Sequence, residues 1–346
     1  MKKITALLII IAMTFCGCSG KESKPQTSGA PVSRDVFAMD TYMNLKAYGG
    51  ENAEMALDEA VERISELESM LSVTDENSDI WKVNHAEGGK VSINGDTLGI
   101  INTAVEIGGR TDGALDITVY PVLREWGFTI QEYSIPEKET LEALLQNVDY
   151  RQIETVDGCV SIPQGFQLDL GALAKGYTGD CVMEIMRENG IGSAIINLGG
   201  NVQTLGKKPD GSQWKVAVKN PFMPEADMCI IEISDKAVIT SGNYERYFIG
   251  DDGKTYWHII DAEDGYPADN GLVSVTIIGE SGIMCDALST ALFVSGLDGA
   301  EEYWRSSGEP FDMILVTDDC KLYITEGLEE NFVNNCDMTL GVIRNE

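Results

Sequence analysis

Six short β-rich runs crowd the second half of this chain: Ala194–Asn197, Trp214–Val218, Ile230–Ile233, Val273–Ile278, Met313–Val316 and Leu322–Thr325. They are not interleaved regularly with helices, as a parallel sheet with its long crossovers requires. No G-x-G-x-x-G follows an early strand either, which argues against a doubly wound nucleotide-binding fold. Three stretches carry helical signals. Residues 52–71 place Leu57, Val61, Ile64, Leu67 and Leu71 at three-to-four spacing with acids between them. Residues 138–147 and 176–189 are the other two, the latter stopped by Asn189-Gly190. The pattern predicts the α+β class: a single domain with a mostly antiparallel sheet and flanking helices, without internal repeats.

The first seventeen residues read as an address. Lys2 and Lys3 precede an apolar stretch, Ile4 to Phe15, that is too short to span a bilayer. It ends at Phe15-Cys16-Gly17-Cys18, and small Gly17 directly before Cys18 resembles a bacterial lipoprotein signal. Cleavage would then precede Cys18 and its thiol would be acylated; a plain secretory signal is the alternative. Residues 18–32 have the composition of a flexible linker, leaving residues 33–346 as the folded domain. The expected location is the cell membrane, lipid-anchored on the extracytoplasmic side.

Charge and histidine content narrow the chemistry. Against 25 Lys+Arg stand 56 Asp+Glu, a net charge of −31, and loss of Lys2 and Lys3 with the signal makes it −33. No nucleic-acid partner is expected of so acidic a chain, because phosphate neutralisation needs a basic face. With only His85 and His258, a His-rich metal centre is excluded, and any catalytic imidazole is one of these two. Cysteines 159, 181, 229, 285, 320 and 336 form no C-x-x-C pair, so a zinc ribbon or thioredoxin motif is absent and buried free thiols are the default.

Chemistry gathers at four places. In Leu168-Asp169-Leu170-Gly171-Ala172-Leu173-Ala174-Lys175-Gly176-Tyr177, an acid leaves an apolar stretch, a small-residue turn follows, and a lysine stands at a helix start. Gly171 and Ala172 allow a ligand close to the backbone, and Lys175 can meet a phosphate as a point charge. In Met284-Cys285-Asp286-Ala287-Leu288-Ser289-Thr290, Asp286 and Thr290 share one helical face, an oxygen-donor pair suited to Mg²⁺. They read equally well as a helix-start acid and a packed threonine. The segments Thr240–Phe248 and Tyr256–Asp261, joined by Asp251-Asp252-Gly253-Lys254, predict a hairpin carrying His258 as a structural or general-base imidazole. Asn197-Leu198-Gly199-Gly200-Asn201 is a turn after a strand, weak by itself.

Taken in order from about residue 35 to 340, these segments resemble the ApbE-type FAD:protein FMN transferases, also described as flavin-trafficking lipoproteins. Met39-Asp40-Thr41, Gly113-Ala114-Leu115-Asp116-Ile117-Thr118-Val119 and Gly265-Tyr266-Pro267 add to the match. The resemblance implies an enzyme that splits FAD with Mg²⁺ and attaches FMN by a phosphoester to a Ser or Thr of an acceptor protein, a membrane redox-pump subunit, releasing AMP. It places Met39, Ala114, Leu115, Asp116, Asp169, Lys175 and Ile260 around FAD, with Thr74 where an aromatic often stands. Ala172 (through its carbonyl), Asp286 and Thr290 would hold Mg²⁺, and His258 would be the base. This chain departs at Asp40, where glycine is usual, at Leu115, where Phe is common, and at Ala262-Glu263-Asp264, which replaces Pro-x-Thr beside His258 with carboxylates placed to meet metal or acceptor. Two alternatives are a Mg²⁺-dependent FAD pyrophosphatase and a non-catalytic flavin-binding lipoprotein.

Overall fold

The computed structural model describes residues 30–345. The expected signal peptide, Cys18 and the linker as far as residue 29 lie outside the described residues. Residues 31 and 32, expected at the end of a linker, instead open a strand. Pro31–Ala38 pairs along its whole length with Thr41–Tyr48.

A nine-stranded sheet carries the domain. Its spatial order is Pro31–Ala38, Thr41–Tyr48, Ser193–Leu198, Asn201–Gly206, Ala237–Gly242, Leu272–Gly279, Asp312–Thr317, Lys321–Thr325 and Thr339–Ile343, the same as the order along the chain. Every neighbouring pair is antiparallel except the last, which is parallel. The observed class is therefore the expected α+β. Leu272–Gly279 is buried at every residue. Its alternation explains how: Val275 and Ile277 face one core with Met313 and Leu315, while Ile278 joins Ile314 and Val316 in another.

The first of those cores is roofed by the Gly282–Ser306 helix, through Leu288, Ala291, Leu292 and Phe293. The second is closed by a three-stranded sheet of Trp214–Asn220, Met223–Ile233 and Phe332–Asn334. Gly296 breaks the long helix at φ 73°, and the Asn270 side chain donates to the Phe293 carbonyl at 2.7 Å and to that of Val294 at 3.0 Å. Those donations satisfy carbonyls the break would leave without partners.

The Glu51–Leu71 helix buries Ala53, Ala56, Leu57, Ala60, Ile64, Leu67 and Leu71, the stripe its periodicity predicts, with Val61 half-buried at its edge. The Ala174–Glu188 helix begins two residues before the expected residue 176. Residues 138–147 form a helix over Lys138–Leu144 and a 3₁₀ turn over Leu145–Asn147. The expected hairpin is Tyr247–Ile249 against Thr255–Trp257, whereas Thr240–Gly242 belongs to the main sheet. His258 lies in a bend just past the strand rather than on it.

Candidate functional site

One cleft of about 990 Å³ opens at the ends of these elements, and all twelve side chains singled out within the domain line it: Met39, Thr74, Ala114, Leu115, Asp116, Asp169, Ala172, Lys175, His258, Ile260, Asp286 and Thr290. Thr74 is exposed at the rim, whereas Leu115 and Ile260 are buried in the wall. The Ala262-Glu263-Asp264 loop does not line the cleft. Glu263 N–H donates to Asp261 at 2.9 Å and Tyr266 N–H to Asp264 at 2.8 Å, so Asp261 and Asp264 hold the turn itself.

Asp286 is buried, 4% exposed, on the second turn of the Gly282–Ser306 helix. That helix starts firmly because Asp180 accepts from the amides of Gly282 at 2.7 Å and Ile283 at 3.0 Å. One Asp286 oxygen accepts from Gly176 N–H at 2.8 Å and the other from Asn201 Nδ2 at 3.0 Å. Three separate sequence motifs thus meet on one carboxylate. The Gly176 amide belongs to the first turn of the Ala174–Glu188 helix, whose unpaired amides favour an anion. Burial raises the Asp286 pKa above the ordinary carboxylate value, and Lys175, the Gly176 amide and Asn201 oppose that rise. One turn on, Thr290 Oγ1 lies 3.2 Å from Ser241 Oγ of the T-S-G segment.

The loop before the Ala174–Glu188 helix is shaped by two side chains. Buried Asn84 acts as a surrogate strand for Leu168, donating to its carbonyl at 2.9 Å and accepting from its amide at 2.6 Å. Asp169 then accepts from Gly171 N–H at 2.8 Å, closing the turn that carries Ala172 into the cleft. Burial raises the Asp169 pKa, opposed by the Gly171 amide, Arg246 and Lys175. Asp116 is engaged within the protein: it accepts from Thr118 N–H at 2.8 Å, Thr118 Oγ1 at 2.5 Å and Tyr150 N–H at 2.9 Å, and so organises the Ala114–Asp116 wall.

Met39 and Asp40 form the tight turn of the edge hairpin at φ 49° and 57°. Aspartate tolerates that left-handed backbone, which accounts for its standing where glycine is usual. The Met39 amide is held by Glu68, a cleft residue the sequence reading missed, at 2.6 Å.

His258 is half-buried, with its main-chain N–H donating to the Arg246 carbonyl at 3.1 Å and its Nδ1 3.2 Å from the same oxygen. A carbonyl only accepts, so Nδ1 carries the proton and Nε2 keeps its lone pair. Loss of solvation, then the nearby Arg246 and Lys175 charges, lower the His258 pKa to about 4, and the imidazole is neutral at pH 7. Its segment is rigid because Phe248 stacks on Tyr133 and Tyr256 at 5.0 and 5.4 Å, and Trp126 packs 5.0 Å from Tyr256. His85 has no part in the cleft; it stacks on Trp81 at 3.9 Å.

The ApbE family profile matches residues 39–315. The chain belongs to the ApbE family. The matched span runs from Met39 at one lip of the cleft past Thr290 at its floor. Among its relatives is a protein of Klebsiella pneumoniae named FAD:protein FMN transferase, 33% identical over 290 residues, 82% of this chain and 89% of that one. The crystal structure of the ApbE protein from Thermotoga maritima superposes with a TM-score of 0.82 at 30% identity, covering 87% of this chain and 99% of the other. The flavin transferase ApbE from Vibrio cholerae does so with a TM-score of 0.78 at 27% identity, covering 87% and 99%.

Arg246, Glu68, Asn201 and Gly176 are the site residues that sequence reasoning left without a role. Each lies inside or beside a motif already singled out, except Glu68, which sits on the polar side of the first helix.

Proposed function

We propose that this ApbE-family chain is an FAD:protein FMN transferase. It cleaves FAD, attaches FMN through a phosphoester to a Ser or Thr hydroxyl of an acceptor protein, and releases AMP. The observation that carries this reading is the neutral His258 with Nε2 unprotonated, in the same cleft as Lys175 and the Asp286–Thr290 helix face.

The donor set supports Mg²⁺. Asp286 carboxylate, Thr290 hydroxyl and Ala172 carbonyl are all hard oxygen donors, and the buried Asp286 keeps free lone pairs beyond its two accepted hydrogen bonds. Among the described residues no group of three or more His, Cys, Asp or Glu could hold a metal, so a soft-metal site has no rival claim. A single protein carboxylate suits Mg²⁺, which retains water and takes substrate phosphate oxygens. Bound there, Mg²⁺ supplies positive charge to the pyrophosphate oxygens.

The protein's own groups do the rest. Lys175 neutralises phosphate charge at the head of its helix. The acceptor hydroxyl gives its proton to His258 Nε2 while its oxygen bonds to the FMN-side phosphorus. The P–O bond of the pyrophosphate bridge breaks, and AMP leaves with the bridging oxygen. Phosphoryl-type transfer asks mainly for this positioning and charge neutralisation.

The Gly17-Cys18 junction supports a lipid anchor at Cys18 after removal of residues 1–17, which puts the enzyme at the extracytoplasmic face of the cell membrane. The family resemblance points to a membrane redox-pump subunit as acceptor. Incubating the enzyme with FAD, Mg²⁺ and such a subunit tests the activity, by intact-mass detection of one added FMN and by AMP release. AMP release at full rate without a labelled acceptor would replace transfer by hydrolysis.

A further inference from the structure

The chain has nine arginines, all within the described residues. Seven form ion pairs: Arg34, Arg63, Arg110, Arg151, Arg187, Arg305 and Arg344. Arg124 donates to Gln167 at 3.0 Å and lies over the Tyr120 ring. Among the described residues, exposed Arg246 alone has a guanidinium with neither an ion pair nor a hydrogen bond to the protein. In a chain with 56 acidic residues against 25 basic ones, an unpaired arginine is the exception.

Its position gives the exception a meaning. Arg246 lines the cleft, where Lys175 and Lys219 are the other cations. Its charge acts on both Asp169 and His258, so the guanidinium lies within electrostatic reach of the loop that carries Ala172 and of the imidazole. The same residue's carbonyl accepts the His258 main-chain N–H and faces Nδ1. One residue therefore presents five free donors to the cleft with its side chain and orients the base with its main chain.

We propose that Arg246 grips the phosphoryl group being transferred, its planar fork taking two non-bridging oxygens, and so couples arrival of FAD to the readiness of His258. The inference rests on the transferase reading above. A guanidinium matches phosphate oxygens in a bidentate geometry that an ammonium cannot copy. As the acceptor oxygen–phosphorus bond forms and the bridging P–O bond breaks, the gripped oxygens keep their charge paired and the proton passes to Nε2. Because the carbonyl of the gripping residue holds the imidazole, base and phosphorus are set relative to each other by a single residue.

The charges facing His258 make the coupling readable. Lys175 from the Ala174–Glu188 helix and Arg246 from the segment before the hairpin are the two cations that act on it; Asp169, Glu245 and Asp286 are acids on the same walls, and the Phe128 ring lies 6.4 Å away. Pyrophosphate oxygens paired with Arg246 cancel one of the charges that disfavour the imidazolium. His258 then becomes a stronger base only once substrate is in place.

Two histidines make the test a two-line NMR spectrum, with His258→Gln assigning the lines. Imidazole titration of the full domain is followed without ligand and with FAD in the presence of a chelator, for wild type, Arg246→Gln and Arg246→Lys. In wild type, FAD is expected to move the His258 titration upward. Arg246→Gln raises it in the free enzyme, shrinks the FAD-induced shift, weakens FAD binding about tenfold or more, as loss of a charge-assisted pair predicts, and slows acceptor labelling further. Arg246→Lys keeps the free-enzyme titration near wild type but does not restore labelling. Unchanged titration and FAD affinity in Arg246→Gln, with the fold intact by circular dichroism, would overturn the proposal. Because those two arms use no acceptor, they decide the role of Arg246 even if no protein is ever labelled, an outcome that counts against the transferase reading instead.

Discussion

The Gly176 amide donates to the Asp286 carboxylate at 2.8 Å, joining the first turn of one helix to the second turn of another. The approach is possible only because residue 176 has no side chain: a Cβ there would lie 2.3 Å from the Gly282 carbonyl oxygen and 2.7 Å from the Asp286 Cβ. The buried Asp286 carboxylate and Lys175, the residue before Gly176, are therefore fixed by one helix crossing.

That crossing predicts a sharp contrast between two glycines. Gly176→Ala must push two backbones apart and is expected to cost about 1–3 kcal/mol or more, with loss of turnover. Gly99→Ala, in the Gly95–Arg110 helix with nothing within 4 Å of the new methyl, should stabilise by about 0.5–1 kcal/mol and leave turnover alone. Urea midpoints of the two variants decide it; equal effects would mean the crossing is not tight.

Asp286 sets stability against function. Its folded pKa lies above the ordinary value because burial penalises the charge, so the ionised form burdens the metal-free fold at neutral pH. Asp286→Asn is expected to match or exceed wild type in thermal stability in chelator, yet to lose about two orders of magnitude or more in turnover. Near wild-type AMP release by this variant at limiting Mg²⁺ would remove Asp286 from the metal site.

His258 gives the pH signature. Its folded pKa of about 4 lies below the usual 6.5, so the neutral form is favoured in the fold. Its contribution to stability is present above pH 6.5 and is lost as pH falls from there through about 4. At saturating Mg²⁺, kcat/KM should accordingly hold level through pH 6 and fall on an acid limb near 4. An acid limb at 6.5 would show an imidazole in water, not in this cleft.

The anchor proposed at Cys18 should be dispensable for chemistry. Cys18→Ser, or a chain starting at residue 30, keeps the Pro31–Ala38 strand and its full pairing, and is expected to fold and turn over in solution. An inactive soluble form given a good acceptor would assign the tether a catalytic part.

Much of this site was legible because its chemistry comes in contiguous motifs. Asp286 with Thr290, Asp169 with Lys175, and His258 each announce themselves by residue type and spacing, and all line one cleft. What the motifs do with one another was not legible. Nothing in Ala174-Lys175-Gly176-Tyr177 says that Gly176 will meet Gly282, since that contact spans over a hundred residues and depends on a helix crossing. The Gly95–Arg110 helix escaped notice because it holds four glycines, whose weak propensity is overridden by burial of Ile100, Ile101, Ala104 and Ile107. The edge strand Pro31–Ala38 was missed because Ser33 and Asp35 on its exposed face, with Arg34 between them on the other, interrupt any apolar run. Arg246 was passed over because its significance lies in the absence of a partner, which only the folded chain reveals.

The central claim is that His258 takes the proton of an acceptor hydroxyl while FAD is held by other groups. His85 cannot substitute, since its ring is stacked on Trp81 and its Nδ1 lies 2.7 Å from the Trp81 carbonyl, away from the cleft. The most direct measurement is acceptor labelling beside FAD affinity on one sample of His258→Ala. The account predicts that labelling disappears while FAD binds within a few-fold of wild type. Full labelling with intact FAD binding would contradict it.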